Sequence, residues 1–460
     1  MKEEARMFTQ EIITRQRAFF LSGKTRPIRW RKQALLDLAA CIRRYETRIN
    51  AALQADMNKS ATEVYMTETG IVLDEIRYHL SHLDRWARER WVRTPLAQFP
   101  SVSYVSPEPY GTVLIMSPWN YPIQLCLEPL VGAISAGCTA VLKPSAYAPA
   151  TSQVLADMME ESFPPEYITV IQGGREENKA LLEEPFDYIF FTGSPAVGHD
   201  VMRAAAEHLT PVTLELGGKS PVIVTESSNI PVAARRIAFG KVLNAGQTCV
   251  APDYCFVHKA IKPAFIEAYR EALAEFFPDG NMDDMNVIIN EKHYARVKRL
   301  LASGEAVIGG GFDDGRRFIE PTLLDHVSTE APVMQEEIFG PILPMLEYED
   351  LEEPIRYIRE HAKPLALYLF TTDRGVEKRI MDTCSFGGGC VNDTIIHLAT
   401  PYMPFGGVGN SGMGSYHGKK SYDTFTHERS IVRKGNWLDL PVRYRPYTSL
   451  KNRMLRSLLK

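Results

Sequence analysis

Along the first ninety positions apolar residues recur at three- and four-residue steps, in runs 16–23, 30–45, 50–58 and 67–90. That spacing lines one face of a helix, so these runs predict helices packed over a sheet built later in the chain. Residues 93–107 break the pattern with three prolines and short alternation, as an extended arm does. From position 112 the period changes. Short apolar strands at 112–116, 139–142, 168–171, 188–191 and 212–216 alternate with helical segments near 123–135, 150–162, 176–182 and 196–208. Strands that are apolar almost throughout are buried on both faces, which predicts a parallel sheet with helices on each side. Right-handed crossovers make such a sheet doubly wound.

A second alternating region follows: strands at 220–224, 254–257, 342–346, 365–370 and 389–391, and helices at 232–243, 262–276, 351–360 and 375–382. A polar, glycine-rich insert lies near 305–314. The expected fold class is therefore α/β, with two doubly wound domains facing each other across a cleft and a small β arm. Sites between domains suit a two-substrate reaction. Residues 425–433 read as an edge strand that pairs with 101–105 or with a partner subunit, and an exposed edge of that kind invites dimerisation.

Composition narrows the function. The chain has 460 residues, 45% hydrophobic and 23% charged, with a formal net charge of −4. That balance suits a globular protein of two or three domains and gives no electrostatic footprint for nucleic acid. Seven cysteines without CxxC or Cys–His spacing fit neither a disulfide framework nor a metal site. The charged start and the lack of an apolar run of spanning length predict a cytoplasmic protein with no membrane span. The basic tail from Tyr444 onward reads as a short amphipathic helix on the protein's own surface.

The chemistry concentrates in a few stretches. Cys249 follows the small-polar run Ala245-Gly246-Gln247-Thr248, just past an apolar helix, where backbone can approach a bound atom. A nucleophilic thiol needs a base and a place for the negative charge that develops on an attacked carbonyl. Glu215, among apolar and glycine neighbours, is a candidate base, since desolvation raises a carboxyl pKa. Asn120, between Pro118 and Pro122, offers a side-chain amide to an oxyanion. Gly193-Ser194-Pro195-Ala196-Val197-Gly198 opens a helix after a strand, where free amides favour a phosphate. It is not GxGxxG, and an ordinary cap by Ser194 explains it equally well. Taken singly, Cys249 also reads as an inert buried thiol, Glu215 as a strand-end charge, and Asn120 as a turn residue.

Together these stretches resemble the aldehyde dehydrogenases. Pro118-Trp119-Asn120, Leu214-Glu215-Leu216-Gly217-Gly218-Lys219, Gly246-Gln247-Thr248-Cys249 and Glu336-Glu337-Ile338-Phe339-Gly340-Pro341 occur in that family's order. The Val-Ala-Pro-Asp-Tyr after Cys249 and the run from Pro404 to Lys420 are similar to its class 3 members. The resemblance implies a dinucleotide-binding domain at 1–91 and 108–215, a catalytic thiol domain at 216–400, and an oligomerisation arm and edge strand at 92–107 and 425–445 of a homodimer.

The same resemblance implies oxidation of a small-molecule aldehyde to a carboxylic acid with NAD or NADP. Cys249 would be the nucleophile, Asn120 the oxyanion donor and Glu215 the base for thioester hydrolysis. Trp119, Lys143, Gly193, Ser194, Gly198, Glu337 and Phe339 would hold the cofactor. Ala146 stands where many relatives carry an acid that repels a 2′-phosphate, so NADP is expected to be accepted. Glu215 argues against transfer of the acyl group to coenzyme A. A cofactor-independent cysteine hydrolase and a non-catalytic protein keeping the fold are the other readings.

Overall fold

A computed structural model describes residues 2 to 459. Its first sheet has six strands in the order Gly412–Met413, Val212–Leu216, Tyr188–Gly193, Thr112–Met116, Thr139–Lys143, Ile168–Val170. All its neighbours are parallel except Gly412–Met413, which pairs antiparallel with Leu214 and Glu215. The chain order reverses between Thr112–Met116 and Tyr188–Gly193, and the loops leaving those two strands carry Asn120 and Ser194. Ligands bind outside the carboxyl ends of strands at such a switch point.

The second sheet has seven strands in the order Glu305–Ile308, Thr322–Asp325, Ile342–Tyr348, Tyr254–His258, Pro221–Val224, Ala366–Phe370, Gly388–Val391. Only Glu305–Ile308 runs antiparallel. Strands Thr112–Met116, Thr139–Lys143, Pro221–Val224 and Ala366–Phe370 are buried along their whole length, as their unbroken apolar runs require. The arm forms a third sheet in which Ser101–Pro109 lies between Arg90–Val92 and Thr426–Lys434, with Ser430 opposite Val105 and Lys434 opposite Ser101. The expected pairing of the edge strand with the arm is thus made within one chain.

Several boundaries differ from the sequence reading. The runs 30–45 and 50–58 belong to one 30-residue helix, Ile28–Met57, because nothing between them breaks a helix. The run 67–90 starts in a π-helical turn, Tyr65–Thr69, and its helix ends at Trp86. The glycine-rich insert supplies an edge strand, and two further elements, strand Thr322–Asp325 and helix Glu291–Leu300, were not anticipated. That helix had a readable signal. Asn290 accepts from the His293 amide as its cap, and the buried Tyr294, Val297 and Leu300 follow at three-residue steps. The tail forms the exposed helix Ser449–Leu458, and no helix among the described residues is long and apolar enough to cross a membrane.

Candidate active site

Cys249 stands where two cavities meet. One, of about 150 Å³, is almost wholly apolar, with Met66, Ile71, Phe239, Leu243, Ile395 and Phe405 in its wall. The other, of about 520 Å³, lies at the switch point of the first sheet and is lined by Trp119, Asn120, Gly193, Ser194, Glu215, Glu337 and Phe339. The fold therefore brings eight of the eleven expected site residues to one place, counting the thiol. Lys143, Ala146 and Gly198 are not on this lining.

The thiol loop is shaped by backbone rather than by a helix end. Asn244, Ala245 and Gly246 all have positive φ, at 52°, 50° and 69°. A Cβ on Gly246 would lie 2.3 Å from the Gly340 carbonyl oxygen, so only glycine fits between the thiol loop and the Glu337 loop. Gln247 is fully buried, donates to the Asn244 and Val287 carbonyls at 3.1 Å, and accepts from the Ile289 amide at 3.1 Å. The Asn120 amide donates to the Gln247 carbonyl at 3.0 Å, which ties the oxyanion candidate to the thiol loop. A primary amide has a second N–H, so Asn120 keeps one donor for a ligand.

Glu215 is 1% exposed and neither carboxyl oxygen has a hydrogen-bond partner. Burial pushes its pKa up to about 8, partly offset by the neighbouring Cys249 thiol. Burial likewise raises the Cys249 thiol well above its ordinary value, and the Glu215 and Glu337 carboxyls reinforce that shift. The resting site thus holds a protonated thiol beside a carboxyl poised to take or give a proton near neutrality. Tyr121 and Thr248 share a hydrogen bond of 2.6 Å that joins the same two loops beside the apolar cavity.

The larger cavity has open helix amides and an aromatic wall that an extended ligand with phosphates and flat rings would use. Ser194 is the residue before helix Pro195–His208, but its side chain makes no capping bond, so the alternative reading of an ordinary cap is not met and the first-turn amides of Ala196 and Val197 stay open. Gly217 brings its backbone against Glu337, where a Cβ would sit 2.3 Å from Oε2. Glu337 Oε1 accepts from the Gly218 amide at 3.1 Å, and burial lifts its pKa to about 8. Trp119 packs against Phe339 at 5.4 Å and against His293 at 5.3 Å, forming an aromatic wall. His293 comes from the helix that the sequence reading missed.

Other expectations change. Lys143 is buried, and its ammonium donates to the Pro144 and Gly173 carbonyls at 2.9 and 2.7 Å rather than reaching into open space. Burial lowers its pKa to about 8. Ala146 is exposed in the turn beyond it. Gly198 serves packing, since a Cβ there would meet Leu216 at 2.7 Å. His397 lies 3.6 Å from the Cys390 sulfur with its Nε2 unpartnered, and burial holds its pKa near 4. Among the described residues the histidine–thiol hydrogen bond is thus made by Cys390 and not by Cys249.

Tight coupling between motifs was invisible in sequence. Asp253 accepts from Lys219 and, at 2.9 Å, from the Ile338 amide, while Lys219 also donates to the Val333 and Glu336 carbonyls at 2.8 and 2.9 Å. One ion pair therefore joins the stretches around Glu215, Cys249 and Glu337.

A thiol, a desolvated carboxyl and an amide donor beside a cavity of about 520 Å³ are the groups that a thiol-dependent oxidoreductase of α/β fold would need. The aldehyde dehydrogenase family model matches residues 5–431. A 4,4'-diaponeurosporen-aldehyde dehydrogenase of Staphylococcus aureus is 51% identical over 94% of this chain and 95% of its own length. A dimeric NADP-preferring aldehyde dehydrogenase of Canis lupus familiaris is 44% identical over 95% and 97%. A substrate-bound structure of Staphylococcus aureus AldH superposes with a TM-score of 0.96 at 49% identity, covering 98% of this chain and 99% of that one. The chain belongs to the aldehyde dehydrogenase family and is class 3-like. It is an enzyme that oxidises an aldehyde to a carboxylic acid with NAD or NADP.

Proposed function

We propose that Cys249 is the nucleophile, Asn120 the oxyanion donor and Glu215 the base that hydrolyses the thioester. The observation that carries this reading is the position of Cys249, shared between an apolar cavity and the cavity at the switch point, with the unpartnered Glu215 carboxyl lining the latter. Cys249 attacks as the thiolate, its proton passing to solvent, and the sulfur adds to the aldehyde carbon. The carbonyl electron pair moves to oxygen, where the free N–H of Asn120 and the Cys249 amide stabilise it. NAD or NADP, when bound, supplies a hydride acceptor. Loss of hydride from the thiohemiacetal carbon leaves a thioester on Cys249. Glu215 then takes a proton from water as the water attacks, and the acid departs as the thiol reforms. Trp119, Gly193, Ser194, Glu337 and Phe339 would hold the dinucleotide, with Gly198 packing beneath and Lys143 and Ala146 at the adenosine end. The division into a dinucleotide-binding unit (1–91 and 108–215) and a thiol unit (216–400) belongs to the same reading.

The apolar cavity favours an aldehyde with an apolar tail, and the name of the Staphylococcus aureus relative points the same way. The test follows absorbance at 340 nm across apolar aldehydes of increasing length and polar ones of equal size. Apolar substrates are expected to have the higher kcat/KM, and a preference for polar aldehydes would overturn the assignment. A cytoplasmic homodimer completes the proposal. It is supported by the open edge of strand Thr426–Lys434, by Trp91, Leu96 and Trp437 at 57%, 73% and 71% exposed, and by the word "dimeric" in the canine relative's name. A sedimentation mass of one chain at micromolar concentration would refute it.

A further inference from the structure

The segment from Lys59 to Gly70 carries no expected site residue, yet it grips both loops of the site from behind. Lys59 and Glu68 are fully buried, with Lys59 Nζ 2.6 Å from Glu68 Oε1. The same ammonium donates to the Asn120 carbonyl at 3.1 Å and lies 4.3 Å from the centre of the Tyr121 ring. The other oxygen of Glu68 accepts from the Ile123 and Gln124 amides at 2.8 and 3.4 Å, at the start of helix Gln124–Ala136, where negative charge is favoured. Asn244, in the thiol loop, donates its side-chain amide to the same Asn120 carbonyl at 2.9 Å. Glu63 in turn accepts from the Asn244 backbone amide at 3.0 Å.

A π turn makes this grip possible. The Gly70 amide reaches back five residues to the Tyr65 carbonyl, and a Cβ on Gly70 would lie 2.4 Å from that oxygen. The extra residue shifts the register of the helix. Met66 and Thr67 thereby border the apolar cavity while Glu68 turns into the interior.

We propose that the buried Lys59–Glu68 ion pair is a positioning device for the oxyanion hole, fixing the Asn120 loop against the Cys249 loop so that the free N–H of Asn120 points at the developing charge. The pair touches neither the thiol nor a ligand; it acts through Asn120. The proposal rests on Asn120 serving as the oxyanion donor.

The test is a double-mutant cycle on the full-length enzyme. Removing one partner alone would strand a buried charge and destabilise the fold, so both are replaced together by neutral residues of similar shape, Lys59→Met with Glu68→Gln. With Asn120 intact, kcat is expected to fall at least about 10-fold while KM for the dinucleotide stays within about 2-fold, because oxyanion contacts act in the transition state. In an Asn120→Ala background the same replacement is expected to change kcat by less than about 3-fold, since residues that act as a unit are not additive. Equal losses in both backgrounds, or an unchanged kcat with Asn120 intact, would overturn the proposal. Asn120→Ala that turns over like wild type would instead refute the role of Asn120 itself. Should the paired variant fail to fold, Glu68→Asp, which keeps the charge but is one methylene shorter, is read through the same cycle.

Discussion

Replacing Glu215 by glutamine removes the base without changing the shape of its site. A general base of this kind is worth about 10²- to 10⁴-fold, or roughly 3–5 kcal/mol in the barrier of the step it serves. If that step is thioester hydrolysis, rapid mixing with aldehyde and dinucleotide should show one equivalent of reduced cofactor per site in a burst. Turnover should then nearly stop. The pH dependence follows from the raised pKa of about 8. About a fifth of Glu215 is ionised at pH 7.4 and about nine-tenths at pH 9, so hydrolysis-limited turnover of the wild type should rise roughly 4- to 5-fold between them. The same shift affects stability. The carboxyl holds its proton more tightly folded than unfolded, so its contribution is full below about pH 4.5 and is lost as pH rises through about 8. Chemical denaturation at pH 9 should therefore find Glu215→Gln more stable relative to wild type than at pH 5, by roughly 3–5 kcal/mol. Loss of the burst along with turnover would refute the assignment to hydrolysis and place Glu215 in activation of the thiol.

Cys249→Ala should abolish aldehyde oxidation yet leave dinucleotide binding close to wild type by fluorescence titration; turnover in that variant would sink the mechanism. Gly246→Ala forces a Cβ to 2.3 Å from the Gly340 oxygen at a positive φ. It should cost about 2–4 kcal/mol in denaturant melts and lower kcat by displacing the thiol, and a change within about 0.5 kcal/mol would show that the two loops can part freely. Wild type should accept NADP with kcat/KM at least comparable to that for NAD, and Ala146→Glu should shift preference toward NAD by like-charge repulsion. A wild-type preference for NAD beyond about 100-fold, roughly 2.7 kcal/mol, would mean that other contacts decide the cofactor.

Most strands of both parallel sheets, though not Thr322–Asp325, were legible because buried strands write continuous apolar runs, and 112–116 and 212–216 fall where the periodicity put them. Cys249, Glu215 and Asn120 were legible as motifs, since short stretches of small and polar residues beside strand ends keep their order whatever the fold does with them. Lys59 and Glu68 were not. A lysine just past a helix end and a glutamate on an amphipathic run read as solvated charges, and only the folded chain, by closing helices over the Asn120 loop, makes them each other's partner. For Lys143 the sequence showed the place but not the partners. Its strand-end position was read correctly, but two backbone carbonyls, one of them thirty residues away, claim its ammonium. Sequence thus determined most of the elements and the candidate reacting groups, which depend on local pattern and residue chemistry. The tertiary structure alone decided which charges are buried, what they pair with, and that the thiol lies where two cavities meet, because these depend on how separate segments of the chain pack against one another.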